Sequence, residues 1–296
     1  MSQRSVFAAI VGQPNVGKST LLNKLVGVKL AITSPKPQTT RNRIMGVVTD
    51  GDTQYIYIDT PGFHRPKTKL GEKMVKTVRE SAADIDCVLF MVTPKSEFDD
   101  LDRELLGELS GYGVPVVLVI NKCDTLRDKS AGPRYTDQLS KRHEFSACVL
   151  ISARDGDGVD LLVREIDKYS VPGPHPFPED TLTDVPEKVI VAELIREKLL
   201  MHLSDELPHG CAVTVESFKE RENSDIIDIE AEIVCEKKSH KGMIIGKNGG
   251  MLKKIGSAAR AETERFLDCR VNLQLWVKVR EKWREKSSFV ETIVPN

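Results

Sequence analysis

The run Gly12-Gln13-Pro14-Asn15-Val16-Gly17-Lys18-Ser19-Thr20 places two glycines with four residues between them, ahead of a lysine and a pair of hydroxyls. Such glycines let a backbone wrap closely around phosphates. Exposed N–H groups and a helix start favour negative charge there, Lys18 can reach the β- and γ-phosphates, and the Ser19 hydroxyl can face Mg2+. A plain glycine turn into a helix needs neither the lysine-hydroxyl pair nor this spacing. The chemistry implied is binding of a nucleoside triphosphate, with ATP or GTP and kinase or hydrolase still open.

Three further groups narrow it. Asp59-Thr60-Pro61-Gly62 follows an apolar run, so Asp59 can hold a Mg2+-bound water and the Gly62 N–H can sense a γ-phosphate. Asn121-Lys122-Cys123-Asp124 ends another apolar run, and a carboxylate at Asp124 can accept from both N1–H and the 2-amino group of guanine. Adenine offers no such paired donors, and a carboxylate left unpaired discriminates by roughly 10⁴ to 10⁵, so the base is guanine. Ser152-Ala153-Arg154 comes after a last apolar run, where a backbone N–H can meet the guanine O6. Phe63 stands where some GTPases carry a glutamine that orients the attacking water, so unassisted hydrolysis is expected to be slow.

A different chemistry sits near the C-terminus. Gly246-Lys247-Asn248-Gly249 is a GxxG turn between apolar helical segments, with Lys253 and Lys254 close behind. The glycines allow an RNA backbone to approach, and the lysines offer phosphate contacts. Ile244, Ile245 and Ile255 read as core, and the mixed-charge run from Lys278 to Lys286 reads as a solvated helix.

Short apolar runs, Val6–Val11, Tyr55–Ile58, Cys87–Val92, Val116–Ile120 and Cys148–Ile151, alternate mostly with helical patterns. They predict an α/β domain with a mostly parallel sheet and the motifs at its strand ends. Arg43–Thr49 and Tyr55–Ile58 are joined by only five residues, too few for a crossover helix, which makes that pair an antiparallel hairpin. The helix breakers of Pro172-Gly173-Pro174-His175-Pro176-Phe177-Pro178 mark a boundary, giving a first domain over 1–171, a stiff linker over 172–186 and a smaller α+β domain over 187–296. The latter should hold an amphipathic helix from about Glu187 to Leu207, strands Cys211–Phe218 and Ile226–Cys235, a helix around Leu252–Leu267 and a strand Val271–Val279.

Composition agrees. The 296 residues carry a formal net charge of −1, yet Lys237–Lys286 alone holds fourteen Lys and Arg against five Asp and Glu, a block suited to an anionic partner. The six cysteines form no CxxC pair and read as packed thiols of a reducing compartment, and neither they nor the six histidines have metal-ligand spacing. The longest apolar stretches are too short to span a bilayer, so a soluble cytoplasmic protein is expected.

GxxxxGKS, a threonine-bearing loop, DTPG, NKxD and SAR, in this order, resemble the translation-factor-like branch of P-loop GTPases. With QTTR and the GxxG, the chain is similar over nearly its whole length to the Era family of bacterial GTPases, a P-loop GTPase domain followed by a type II KH domain. The loop Lys29–Arg41 resembles the first switch. By that resemblance Thr40, with Thr39 as the alternative, closes on Mg2+ beside Ser19 and Asp59, and Asn15 coordinates K+ as other bacterial GTPases with this loop do. The resemblance implies GTP/GDP and Mg2+ as ligands, a catalytic set of Asn15, Lys18, Thr40 and Gly62, and a factor for small (30S) subunit assembly. It further implies that the KH domain holds the 3′ region of 16S rRNA rather than DNA, and that the protein associates peripherally with the inner membrane. A mechanism consistent with both domains is a population shift in which GTP and Mg2+ order Lys29–Arg41 and the region after Gly62, so that RNA affinity differs between the GTP and GDP states. Two rival readings are an RNA chaperone that keeps GTP as a structural ligand, and a GTPase of tRNA modification. The second normally ends in a Cys-x-Gly-Lys that this chain lacks.

Overall fold

The structure, a computed structural model, describes residues 3–36, 39–63, 85–128, 130–204, 207–222 and 224–293. The expected second switch, beyond Phe63, lies outside the described residues, as do Pro37 and Gln38 of the first. The chain separates into two compact units. The first runs to Asp184 apart from Ile32–Thr39, which groups with Val185–Asn296 in the second.

In the first unit, β1 (Arg4–Gly12), β2 (Ile44–Asp50), β3 (Thr53–Asp59), β4 (Cys87–Val92), β5 (Val116–Ile120) and β6 (Ala147–Leu150) form one sheet in the order β2-β3-β1-β4-β5-β6. All neighbours are parallel except β2 and β3, the expected hairpin. A short β7 (Val171–Pro172) adds an antiparallel pairing to the start of β1. Helices α1 (Lys18–Val26), α2 (Asp100–Ser110), α3 (Ala131–Ser140) and α4 (Val159–Asp167) occupy the connections. Every residue of β3, β4 and β5 is buried, as strands covered on both faces require.

The proline-rich stretch does more than span a gap. Gln54, fully buried, donates from Nε2 to the Phe177 carbonyl at 2.9 Å and accepts the Phe177 N–H at 2.9 Å, while the Phe177 ring packs on Met45, Val47 and Ile56. Val47 N–H then donates to Leu182 O at 2.9 Å, and Thr183 Oγ1 donates to Met45 O at 2.6 Å. Edge strand β2 is thereby strapped by its own chain, which blocks pairing with another.

In the second unit, β8 (Ala212–Glu220), β9 (Ile226–Cys235) and β10 (Arg270–Val279) form a sheet in the order β10-β9-β8, with β8 antiparallel and β10 parallel to β9. The parallel step needs a crossover, which α6 (Lys238–Ile245) and α7 (Gly250–Leu267) supply. One core joins Ile229, Ala231 and Ile233 of β9 to Ile244, Ile255 and to Val191, Ile195 and Leu199 of α5 (Glu187–His202).

Two expectations are corrected here. Helix α5 is not simply amphipathic, because burial extends around it to Arg196, Glu197 and Lys198. These charges are paired in place: Lys198 Nζ donates to Glu197 at 2.7 Å and to Glu262 of α7 at 3.1 Å, Arg196 meets Glu193 at 2.6 Å, and Glu197 accepts the Thr33 N–H at 3.0 Å. Lys278–Lys286 is not one solvated helix, and only Trp283–Glu285 makes a single 3-10 turn. The segment finishes β10, turns through Lys282 at φ 50° and buries Trp283 completely, with the indole N–H on Gly210 O at 2.9 Å and Arg284 bonded to Glu236 at 2.6 Å. Trp283 also stacks edge-on against Phe289 of α8 (Ser287–Ile293) at 5.7 Å, so the apolar indole outweighs the charges around it.

Gln54→Leu keeps the volume but leaves both polar groups of Phe177 without partners, a cost of about 1–3 kcal/mol. We expect a lowered denaturant midpoint and new protease cleavage between Pro172 and Pro186. An unchanged cleavage pattern would show that the strap holds without Gln54.

Candidate functional site

Strands β3, β1, β5 and β6, with β4 between β1 and β5, end along one C-terminal edge of the sheet, and each of the four is followed by one of the sequence motifs. This is the edge where open parallel sheets take ligands. Gly12 closes β1 at φ 153° and Gly17 stands at φ 105°; a Cβ on Gly12 would lie 2.3 Å from Met91 O, and one on Gly17 2.2 Å from Asn121 Nδ2. Asn15 is exposed at φ 65°. The loop thus bends through conformations that side chains resist, and passes into α1 at Lys18 with Ser19 and Thr20 in its first turn.

Lys18 is buried, with Nζ donating to Gly12 O at 3.2 Å and Gln13 O at 2.9 Å. Burial pulls its ammonium down to about 8, against the influence of Asp59. Asp59 is fully buried as well, and burial pushes its carboxyl up to about 6, against Lys18, the Ser19 hydroxyl and the Thr60 N–H. Ser19 Oγ donates to Asp59 Oδ2 at 2.6 Å and lies 2.7 Å from Thr40 Oγ1. Thr39 turns away, donating to Lys36 O at 2.6 Å. Asp59 Oδ1 has no hydrogen-bond partner among the described residues. A buried carboxylate oxygen left over, next to two converging hydroxyls, is an all-oxygen set that suits Mg2+, which keeps few protein ligands and several waters. Ser19, Thr40 and Asp59 are the residues that could hold it.

The second and third motifs lock onto this loop. Thr60 Oγ1 donates to Ile10 O at 2.9 Å, and the Phe63 N–H donates to Gly12 O at 3.0 Å. Pro61 is buried, and Gly62 lies so close to Pro14 that a Cβ would come within 2.7 Å of its backbone. The Phe63 side chain is buried in the same apolar core as Phe90 and Phe98. Asn121 Nδ2 donates to Val16 O at 2.8 Å and its Oδ1 accepts the Ala153 N–H at 2.9 Å, while Lys122 Nζ donates to Asn15 O at 2.5 Å. Asp124 accepts from Ser152 Oγ at 2.9 Å and meets the exposed Arg154 guanidinium at 3.0 Å. The structure therefore brings together the phosphate-loop, Asp59–Gly62, Asn121–Asp124 and Ser152–Arg154 residues, with Thr40.

The sequence reading missed two contributors. Asn23 of α1 holds the start of the Lys29–Arg41 loop, accepting from Leu30 N and Ala31 N at 3.0 and 2.9 Å and donating to Ala31 O at 2.7 Å. Gln13 reaches sideways from the loop to Asp99 and Asp102 at the start of α2. The paired aspartates three residues apart, a capping box, were a visible signal; their link to Gln13 was not.

In the second unit, Gly246 at φ 72°, Asn248 at φ 50° and Gly249 at φ 74° make the tight turn between α6 and α7, with Lys247 and Asn248 exposed. A cleft of about 370 Å3 runs beside it, lined by Gly249, Leu252, Lys253, Gly256 and Arg260 against Leu273 and Leu275 of β10. Gly256 brings helix and strand together, since a Cβ there would lie 3.3 Å from Leu275. Lys253 lines this cleft. Lys254 does not, and lies instead near His202, whose imidazole is lowered by burial and by Lys254 and Lys198. Among the described residues no cluster of three His, Cys, Asp or Glu could hold a metal, and no helix is long and apolar enough to cross a membrane.

Above about pH 8, phosphate binding must return a proton to Lys18, so GDP affinity should fall by up to about tenfold per pH unit, with proton uptake visible by calorimetry in buffers of different ionisation heat. Lys18→Met should bind weakly and lose that uptake. Uptake persisting in the variant would assign it elsewhere.

Comparison with known proteins agrees with this geometry. A family described as 50S ribosome-binding GTPase matches residues 7–122, and a KH domain matches residues 206–284. GTPase Era of Ruminiclostridium cellulolyticum is 51% identical over 99% of this chain and 98% of its own, and that of Clostridioides difficile 47% identical over 97% of each. Among solved structures, an Aquifex aeolicus Era variant bound to GDP.AlF4- superposes with a TM-score of 0.95 at 39% identity, covering 98% of this chain and 99% of that one. Era in complex with MgGDPNP and nucleotides 1506-1542 of 16S ribosomal RNA gives the same TM-score and identity over 98% of each chain. With the phosphate loop, the guanine motif and the GxxG cleft all carried on one matching chain, the protein belongs to the Era family of GTPases.

Proposed function

We propose that this chain is a GTP-hydrolysing, RNA-binding factor of small (30S) ribosomal subunit assembly and 16S rRNA maturation. The observation that carries the reading is full-length likeness to an Era held with both MgGDPNP and the 3′ segment of 16S rRNA. Each of those two ligands has a counterpart among the sites described above.

In the proposed mechanism, Asp124 selects guanine, Asn121 ties the base loop to the phosphate loop, and backbone N–H groups around Gly17 and Lys18 take the phosphates. Lys18 trades its carbonyl contacts for phosphate oxygens. Ser19, Thr40 and Asp59 would hold Mg2+, which supplies charge neutralisation across the β- and γ-phosphates. Thr40 belongs to the loop that the γ-phosphate state orders, and the Gly62 N–H is the second group proposed to sense that phosphate, so both report the same ligand. Phe63 has its ring in the core and cannot orient water, so unassisted turnover is slow. Asn15, exposed on the loop, is the group proposed to coordinate K+ and speed it. On this reading turnover rises in K+ relative to Na+ buffers, and Asn15→Ala removes the difference; equal rates in both buffers would dismiss K+.

The GxxG turn, with Lys247 and Asn248 at its tip and Lys253 and Arg260 along the cleft, is proposed to clamp single-stranded RNA of the 16S 3′ region. The double variant Lys247→Asp with Asn248→Asp should lose at least about tenfold in affinity for such an RNA and flatten its salt dependence. Wild-type affinity should differ between GTP-analogue and GDP states at matched salt. Unchanged binding in the double variant would move the RNA site elsewhere. Peripheral contact with the inner membrane belongs to the same proposal, and flotation with anionic vesicles tests it.

A further inference from the structure

We propose that Gln13 is a positioning residue for phosphate binding: its side-chain amide ties the first turn of the phosphate loop, and through it Lys18, to the start of α2. The inference rests on the reading of Lys18 as the phosphate-binding lysine. Gln13 Nε2 donates to Asp99 Oδ1 at 2.6 Å and to Asp102 Oδ1 at 2.8 Å, so both amide hydrogens are used, one for each carboxylate. The carbonyl of the same residue accepts Lys18 Nζ at 2.9 Å. A pull on the side chain therefore acts a few bonds away from the oxygen that sets the lysine.

The aspartates do more than start a helix. For capping, Asp99 Oδ1 accepts from Leu101 N and Asp102 N, each at 3.1 Å, and Asp102 Oδ2 accepts the Asp99 N–H at 3.3 Å. That box is complete within α2. Asp102 is nevertheless fully buried, and Lys95 Nζ donates to it and to Asp99 Oδ2 at 3.2 Å. Burying a carboxylate is costly unless its remaining lone pairs are met, and here a lysine and the Gln13 amide meet them. The result is a fixed acceptor pair aimed at the loop.

The residue type fits the task. A carboxylate at position 13 would face two others, and a second ammonium would crowd Lys95. An uncharged double donor satisfies both acceptors without altering the field that the phosphates enter. A lysine turned toward a phosphate no longer spans the loop's carbonyls, so the turn needs a tether that does not depend on it.

The donor–acceptor direction can be reversed to test this. Gln13→Met keeps the length and removes the donor; we expect kcat/KM for GTP to fall about tenfold and the GDP Kd to rise comparably, alongside a Tm loss of a few °C because the buried Asp102 gives up one partner while the capping box stays intact. Gln13→Glu should be worse, since its carboxylate faces Asp99 and Asp102. Adding Asp102→Asn to Gln13→Glu restores a donor opposite an acceptor while the amide oxygen still caps α2. The pair should recover at least about half of the loss on a logarithmic scale, a coupling that a merely structural role would not produce. Should Gln13→Glu fail to fold, Gln13→Met decides. Gln13→Met within twofold of wild type would overturn the proposal, as would a loss in Gln13→Glu that Asp102→Asn does not relieve. Lys18→Met, measured alongside, separates the two levels: GDP binding equal to wild type there would remove the phosphate role of Lys18 and this inference with it, whereas loss there with an unaffected Gln13→Met defeats the tether alone.

Discussion

Two opposite charges buried at one sheet edge govern the first unit. Lys18 and Asp59 are both withdrawn from water, and burial drives each toward its neutral form, the ammonium down and the carboxyl up. Each moves toward a proton state that its ligand would reverse. Negative phosphate beside Lys18 favours the ammonium, and a divalent cation beside Asp59 favours the carboxylate. The unit therefore carries an electrostatic cost in its own core that a magnesium nucleotide is shaped to relieve, so that binding and ionisation are linked.

The surrounding architecture keeps these two groups close without letting them collapse. Parallel strands end in register, which sets Asp59 opposite Ile10, two residues before Gly12, in adjacent strands with no helix between them. The glycine torsions let the loop pass over Lys18, while Asn121 draws the loop to the base motif from one side and Phe63 N–H holds Gly12 from the other. Asn23 fixes where the next segment leaves α1, and Thr40 brings it back to Ser19. Between those points the chain is held by backbone contacts to Glu197 and Arg196, which gives two of the buried charges of α5 a partner that an apolar helix could not offer.

The motifs were legible because each combines a residue type with a strand end, and strand ends follow from apolar runs that only a doubly covered sheet explains. Core residues such as Ile244 and Ile255 were legible from the apolar helical segments on either side of the GxxG turn. What escaped was tertiary. Gln13 and Asn23 sit at positions where many side chains would fit the local pattern, and their use depends on neighbours far along the chain. The sequence between Lys278 and Lys286 misled because charge dominates its composition, whereas one indole dominates its energetics. The prolines of 172–178 signalled a break in regular structure correctly, but nothing in their spacing revealed that Gln54, more than a hundred residues earlier, grips Phe177 by both polar groups of its backbone.

Phe63 shows why the missing glutamine is a consequence of packing as much as of catalysis. Its N–H anchors the loop at Gly12, and its side chain is buried in the same apolar core as Phe90 and Phe98. Turning that side chain toward the nucleotide would open the core and loosen the contact that presses Gly62 against Pro14. A large cavity in such a core costs several kcal/mol, about the size of the rate gain a positioned water-orienting group could give. A fold that uses this position for packing must draw its catalytic power from groups already on the loop or supplied by a partner. The exposed Asn15 and the RNA-binding second unit are the parts of this chain through which such help could enter.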